Sequence, residues 1–315
     1  MSERDVGGWF RTAVDGAVVL PNTAAWGPGT GGFGRTSHEA DLIAAADMFR
    51  GRPTMVLTGA GMSTASGLPD YRGRDAVPRS PMMYQEFVGS DLSRRRYWAR
   101  STVGWHSFAT ARPNAAHHLL AELGRITPLT GVVTQNVDGL HQAAGSHPVI
   151  DLHGTLDRVI CLECGHLLDR YRLQEQFLEL NPRFADHLDQ LAADAVQAPD
   201  GDAEVDRTHD FSYHGCSVCG GMLKPDVVFF GENAHGEVVA EANRLLDHSD
   251  VLLVLGSSLT VMSGLRFARR AAREGKEVII ANDGATRGDD VAPLRIHGRL
   301  EPILRTWVRH LGRNH

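Results

Sequence analysis

Met55-Val56-Leu57-Thr58-Gly59-Ala60-Gly61-Met62-Ser63-Thr64-Ala65-Ser66-Gly67-Leu68-Pro69-Asp70-Tyr71-Arg72 is an apolar run that breaks into a glycine turn with a polar, aromatic tail. Met55-Val56-Leu57 reads as a buried β-strand. Gly59 and Gly61 carry no Cβ, so the backbone can turn tightly there and approach a ligand closely. Ser63, Thr64 and Ser66 supply hydroxyls where a following helix would offer free N–H groups to a phosphate. The glycines do not complete the dinucleotide fingerprint, because its third glycine would fall at Thr64. The stretch predicts a nucleotide site that is not that of an ordinary dehydrogenase.

Runs with the same end recur downstream. Val132-Val133-Thr134, Val149-Ile150-Asp151-Leu152, Val227-Val228-Phe229-Phe230, Val251-Leu252-Leu253-Val254-Leu255 and Val278-Ile279-Ile280-Ala281 each stop at polar residues or glycine. Several are unbroken apolar runs, as strands covered on both faces require. Helical spacing marks residues 39–49, 82–88, 92–108, 115–125, 237–246 and 265–274. The alternation predicts an α/β fold with a doubly wound parallel sheet, in which ligands bind beyond the carboxyl ends of the strands. His117 and His118 sit side by side in the 115–125 helix and receive no functional role.

The four cysteines occur as Cys161-x-x-Cys164 and Cys216-x-x-Cys219. Two such pairs predict a structural Zn2+ held by four thiolates, a closed set with no position left for a catalytic water. They bracket a module interrupting the sheet domain. The expected division is an N-terminal extension over 1–38, a nucleotide domain over 39–154 and 224–315 with a helical insertion at 74–112, and a zinc module with an extra arm over 155–223. Ala198 to Asp202 reads as a solvated loop in that arm.

The 315 residues carry a net charge of −6, with only Lys224 and Lys276 as lysines, so there is no basic footprint for nucleic acid or an anionic membrane. No apolar run is long enough to span a bilayer. Met1 to Asp5 carries no apolar signal core, and a cytoplasmic location is the expectation.

Thr134-Gln135-Asn136-Val137-Asp138 and Asp151-Leu152-His153-Gly154 place amides, carboxylates and a histidine at strand ends. A histidine there suits a general base, because its pKa lies near neutrality. With these segments on the page, the chain resembles the sirtuins, the Sir2 family of NAD-dependent protein lysine deacylases. The match rests on Gly59-Ala60-Gly61-Met62-Ser63 with Pro69-Asp70-Tyr71-Arg72, on Thr134 to Asp138, on Leu152-His153-Gly154, and on both cysteine pairs. Leu223-Lys224-Pro225-Asp226-Val227-Val228-Phe229-Phe230-Gly231-Glu232 and Gly256-Ser257-Ser258 complete it, in the family's order. Tyr71 stands where most of the family has Phe. Arg96-Tyr97-Trp98-Ala99-Arg100 with Gly104-Trp105, and the long arm between the cysteine pairs, look like the class II sirtuins that include the mitochondrial human sirtuin four. The chain is read as a bacterial member.

The resemblance implies roles residue by residue. Gly59, Ala60, Gly61 and Ser63 would meet the NAD pyrophosphate, and Pro69, Asp70, Tyr71 and Arg72 would form the mobile loop over the reacting ribose. Gln135, Asn136, Val137 and Asp138 would hold the nicotinamide and its ribose. Gly256, Ser257, Ser258, Asn282, Asp283, Gly284 and Leu300 would bind the adenosine half. His153 and Asn136 are the catalytic candidates. Val228, Phe229, Gly231 and Glu232 would border the groove where an acyl-lysine protein substrate pairs as an added strand. The implied chemistry is attack of the acyl-lysine amide oxygen on the nicotinamide ribose with loss of nicotinamide. Neutral His153 then takes a proton from a ribose hydroxyl, and O-acyl-ADP-ribose and free lysine result. Tyr97-x-x-Arg100 has the spacing by which desuccinylating sirtuins bind an acidic acyl tail, since an arginine beside a tyrosine hydroxyl can pair with a carboxylate. It equally fits an amphipathic helix with an exposed arginine. Mono-ADP-ribosyl transfer to protein, and a non-catalytic NAD-sensing module, are the competing functions.

Overall fold

The computed structural model describes residues 36–73, 81–194 and 208–313. Most of the expected N-terminal extension, and the run Ala198 to Asp202, lie outside the described residues. The elements in chain order are α1 (Glu39–Phe49), β1 (Thr54–Thr58), α2 (Tyr84–Gly89), α3 (Asp91–Thr110), α4 (Ala115–Ile126), β2 (Leu129–Thr134), α5 (Leu140–Ala143) and β3 (Val149–Asp151). They continue as β4 (Gly154–Cys161), β5 (Leu167–Asp169), α6 (Arg170–Leu180), α7 (Pro182–Ala185), α8 (Leu188–Asp194) and β6 (Leu223–Val227). The last are α9 (Gly236–Asp247), β7 (Val251–Leu255), α10 (Met262–Arg273), β8 (Glu277–Asn282), β9 (Leu294–His297) and α11 (Leu300–Gly312).

Six strands form one sheet in the order β3-β2-β1-β7-β8-β9, every neighbouring pair parallel. The connection order reverses between β1 and β7, so the loops after these two strands diverge and leave a crevice at their carboxyl ends. Alternate residues of each strand serve opposite layers. Val56 and Leu253 face α1, α4 and α11, while Met55, Leu57, Leu252 and Val254 face α9 and α10. On the first face Trp307 packs edge-on against Phe49 at 5.3 Å and donates Nε1–H to the Leu42 carbonyl at 2.9 Å. The described end of the N-terminal segment joins the far edge, where Ser37 N–H donates to the His297 carbonyl.

The second sheet is small and antiparallel, in the order β5-β4-β6. It shares one core with α2, α3 and α6, built on Phe87, Trp98, Leu156, Val159, Phe177 and Leu223. The described part of the 74–112 insertion, from residue 81 on, therefore packs into the cysteine module rather than against the parallel sheet. One expected strand is corrected here. Val227 ends β6, and Val228 to Phe230 form the loop after it, because their backbone groups turn to other partners. Val228 N–H donates to the His153 carbonyl, and Phe229 N–H to the Glu232 carboxylate. The strand also belongs to the antiparallel sheet, not the parallel one.

Two histidines are enclosed in the large core. His117 on α4 and His141 on α5 are buried with ring centroids 4.9 Å apart. His117 Nδ1 accepts the Asn114 N–H, and His141 Nε2 lies 2.9 Å from the Thr58 hydroxyl. Burial makes an imidazolium costly at both positions, lowering His117 from 6.5 to about 4 and His141 to about 3. Between those values and 6.5 the unfolded chain takes up protons that the folded chain refuses, so stability rises with pH through this window. Moving from pH 7 to pH 5 should cost roughly 2 kcal/mol of folding free energy for each ring. Urea titrations at the two pH values read it, and equal midpoints would mean that the rings are not held neutral in the fold.

Candidate active site

The crevice between the loops after β1 and β7 is one wall of a cleft of about 1090 Å³. After β1 the chain makes two short 3₁₀ turns, Ala60–Met62 and Thr64–Ser66. Gly61 N–H donates to the Gly256 carbonyl at 2.9 Å. A Cβ on Gly61 would come within 2.9 Å of that carbonyl oxygen, and Gly256 itself sits at φ 61 against Gly61 and Met62. The two loops can touch only because both residues are glycine. Asn114 fixes the turn from behind. Its side chain caps α4 by accepting from Ala116 N–H and donates to the Met62 carbonyl and the Ser66 hydroxyl.

The cleft gathers most of the residues expected there. Gly59, Ala60, Gly61, Asp70, Tyr71 and Arg72 line it from the β1 loop, and Gln135, Asn136, Val137 and His153 from the ends of β2 and β3. Gly256, Ser257, Ser258, Asn282 and Asp283 line it from β7 and β8, and Val228, Phe229, Gly231 and Glu232 from beyond β6. Tyr71 meets Phe230 edge-on at 5.9 Å, joining the β1 loop to the loop after β6.

Several expected contacts stand elsewhere. Ser63 is buried, and its hydroxyl donates to Asp138 Oδ2 at 2.6 Å while accepting from Asn136 Nδ2 at 3.0 Å. The hydroxyl thus ties Asn136 to Asp138 behind the cleft wall instead of facing a pyrophosphate. Burial pushes the Asp138 carboxyl up, and the Ser63 hydroxyl and Leu140 N–H pull it back down. Leu300 is buried in the large core against Gly256, with no place on the cleft surface. Pro69 and Gly284 also stand off that surface, although the Gly284 carbonyl accepts from Asn282 Nδ2 and so orients it. Of the pair proposed for an acidic acyl tail, Tyr97 lines the cleft and Arg100 does not. The Tyr97 ring is buried between Phe87, 5.3 Å away, and Phe229, 5.1 Å away. The Glu232 carboxylate turns inward, accepting from Phe229 N–H at 2.9 Å and pairing with buried Lys224 at 3.1 Å.

His153 is the titratable group whose geometry is most fully determined. Its Nδ1 lies 2.9 Å from the Gln135 carbonyl, which can only accept, so Nδ1 carries the proton and a neutral ring presents its lone pair at Nε2. Burial is the main cause that lowers its pKa to about 4, the Gln135 bond opposes it, and the Arg266 charge adds to the lowering. A neutral imidazole with one nitrogen pinned to a backbone carbonyl is a general base ready at neutral pH. The cleft residues that were not anticipated include Ser263 and Arg266, one turn apart on α10, and Arg287 after β8. The sequence signal for the first two was their place just past the Gly256-Ser257-Ser258 strand end.

Away from the cleft, Cys161, Cys164, Cys216 and Cys219 bring their sulfurs within 4.8 Å of one another. The Cys161–Cys219 and Cys164–Cys216 separations are 3.5 and 3.8 Å. Thiolates at about 2.3 Å from a tetrahedral zinc stand about 3.8 Å apart, so the set fits that ion. Val218 N–H and Gly221 N–H donate to the Cys216 and Cys219 sulfurs, as metal-bound thiolates require.

Residues 59–263 match the family model described as the Sir2 family. The chain is 50% identical over 294 residues to NAD-dependent protein deacetylase 1 of Streptomyces coelicolor, covering 92% of this chain and 95% of the relative. It is 51% identical over 268 residues to NAD-dependent protein deacetylase 1 of Mycobacterium avium, covering 85% and 94%. Among solved structures, one from work on the mechanism and regulation of Sir2 enzymes superposes with a TM-score of 0.67 at 29% identity, covering 88% of this chain and all of the other. A Sir2 structure with a p53 peptide and NAD+ gives 0.64 at 29% identity, covering 87% and 97%.

Proposed function

The chain belongs to the Sir2 family, and from that premise we propose that it is an NAD-dependent protein lysine deacylase with His153 as its base. It moves the acyl group of an acyl-lysine protein onto ADP-ribose and releases nicotinamide. NAD is consumed as co-substrate and supplies the ribose that accepts the acyl group. The observation that carries the reading is the neutral His153 ring, protonated at Nδ1 so that Nε2 keeps its lone pair, on the cleft that also holds the glycine turn and Asn136.

The remaining assignments are those the family resemblance implies, and the cleft lining supports them. Gly59, Ala60 and Gly61 offer backbone to the pyrophosphate, and Asp70, Tyr71 and Arg72 cover the reacting ribose. Asn136, braced through Ser63 to Asp138, faces the nicotinamide end. Ser257, Ser258, Asn282 and Asp283 take the adenosine half. Val228 to Glu232 border the peptide groove, with Lys224 and Glu232 stiffening it from inside. The nucleotide domain comprises 39–154 and 224–315, and 155–223 is the zinc module. No helix among the described residues is long and apolar enough to cross a membrane. A four-thiolate site suits a reducing compartment, and we place the protein in the cytoplasm.

The acyl end of the cleft is aromatic and apolar, with Tyr97, Met82 and Phe229 on its wall and Arg100 off it. Acetyl and longer apolar acyl groups should therefore be removed at least as fast as glutaryl. A panel of acyl-lysine peptides with NAD, read by mass spectrometry, measures both rate and product. Faster removal of glutaryl would restore Arg100 to the site. Label from NAD appearing on protein, with no O-acyl-ADP-ribose, would make the chain a mono-ADP-ribosyltransferase instead.

A further inference from the structure

His153 has a second partner that the assignment of a base leaves unexplained. Ser263 Oγ lies 2.7 Å from His153 Nε2. Because Nδ1 carries the ring proton, Nε2 has only its lone pair, and the serine hydroxyl must be the donor. The bond is built in from the helix. Ser263 stands in the first turn of α10, and the next residue, Gly264, lies against the Gln135 amide, where a Cβ would come within 2.7 to 2.9 Å. The Gln135 carbonyl holds the other nitrogen of the same ring. One strand end and one helix start therefore clamp the imidazole from both sides, and both ring nitrogens are engaged.

With Ser263 on that lone pair, a ribose hydroxyl reaches His153 through the serine unless it first breaks the bond. Ser263 lines the cleft, and a hydroxyl oxygen that donates to Nε2 still has lone pairs with which to accept. We propose that Ser263 is a catalytic residue that relays the proton from the ribose hydroxyl of NAD to His153. The ribose O–H bond breaks as a new O–H bond forms on Ser263 Oγ. The original Ser263 O–H bond breaks as an N–H bond forms on His153 Nε2. The serine ends unchanged, the imidazole becomes imidazolium, and the electron pair left on the ribose oxygen forms the bond to the acyl carbon. This rests on the reading of His153 as the base.

Ser263→Ala should slow single-turnover acyl transfer by about 10- to 100-fold, less than the roughly 10²- to 10⁴-fold of a full general acid–base contribution because the His153 base remains. Nicotinamide exchange, which precedes the proton transfer, should stay near the wild-type rate, and Ser263→Thr should recover most of the loss because it keeps the hydroxyl. Two protons in flight should bow the plot of wild-type rate against deuterium fraction, and the plot for Ser263→Ala should be straight. Without substrate, histidine-15N spectra should show His153 Nε2 accepting a strong hydrogen bond in the wild type. That signal should move toward the free lone-pair position in Ser263→Ala, with His153→Ala supplying the assignment. Wild-type acyl transfer by Ser263→Ala, or equal loss of exchange and transfer, would overturn the relay. Retained acyl transfer by His153→Ala would instead overturn the base, a separate result.

Discussion

His153→Ala should lower deacylation by roughly 10²- to 10⁴-fold, the range that positioned acid–base groups contribute. NAD affinity, measured by calorimetry, should change little. The reason for the split lies in where the ring is attached. Its fixed bond runs to the Gln135 main chain, whose position is set by its own N–H to the Thr58 carbonyl, so deleting the imidazole leaves the wall standing. The Gln135 side chain is held separately, accepting from the Ser257 hydroxyl at 2.7 Å. The wild-type pH profile adds a second handle. The active form is the neutral ring, and burial lowers its pKa to about 4, so activity lost through His153 protonation should disappear only as pH falls toward that value. An acidic limb near 6.5 in kcat/KM would show that the ring is solvated like an ordinary histidine. Unchanged deacylation by the variant would remove His153 from the mechanism.

The parts of this site that were legible from sequence are those where backbone conformation dictates the residue. Gly59, Gly61 and Gly256 are needed because two loops touch main chain to main chain, and no other residue permits it. The buried strands were legible because both their faces are covered, which leaves unbroken apolar runs. What was not legible is the direction a side chain takes at a strand end. Ser63 follows a glycine turn, where a hydroxyl could equally face a phosphate or turn back to a neighbour, and the half-buried Asp138 carboxylate draws it inward. Leu300 opens α11, whose buried Leu300, Ile303, Leu304, Trp307 and Leu311 recur at helical spacing, so the core claims it. Val228 to Phe230 have strand composition. They are diverted because the His153 carbonyl, distant in sequence, and the Glu232 carboxylate, read as part of the groove, accept their N–H groups. Ser263 was hidden for the same reason: nothing local to α10 announces the histidine it meets 110 positions away.

Cys164→Ala should abolish stoichiometric zinc and cost several kcal/mol of stability, since structural zinc sites bind with roughly 10–16 kcal/mol that is largely folding free energy. At about 2–4 °C per kcal/mol for a chain of this size class, the melting temperature should fall by on the order of 10 °C. The effect on catalysis follows from what the zinc knuckles terminate. The first pair closes β4, whose opening residue is Gly154, next to His153; a Cβ on Gly154 would come within 2.0 Å of the Asp226 carbonyl on β6. The second pair precedes β6, which delivers Lys224 to its buried partner Glu232 and passes directly into the Val228-Phe229-Phe230 wall. Val228 N–H closes the loop by donating to the His153 carbonyl at 2.8 Å. The metal thus holds the two strands that bring the base and the peptide wall together, while standing in a closed thiolate set outside the cleft. Activity should fall in Cys164→Ala in step with the folded fraction, and cooling the variant below its melting transition should return a corresponding share of turnover. A stable, zinc-free variant with no activity would make the ion a participant in the reaction, and a fully stable, active one would deny it the structural role.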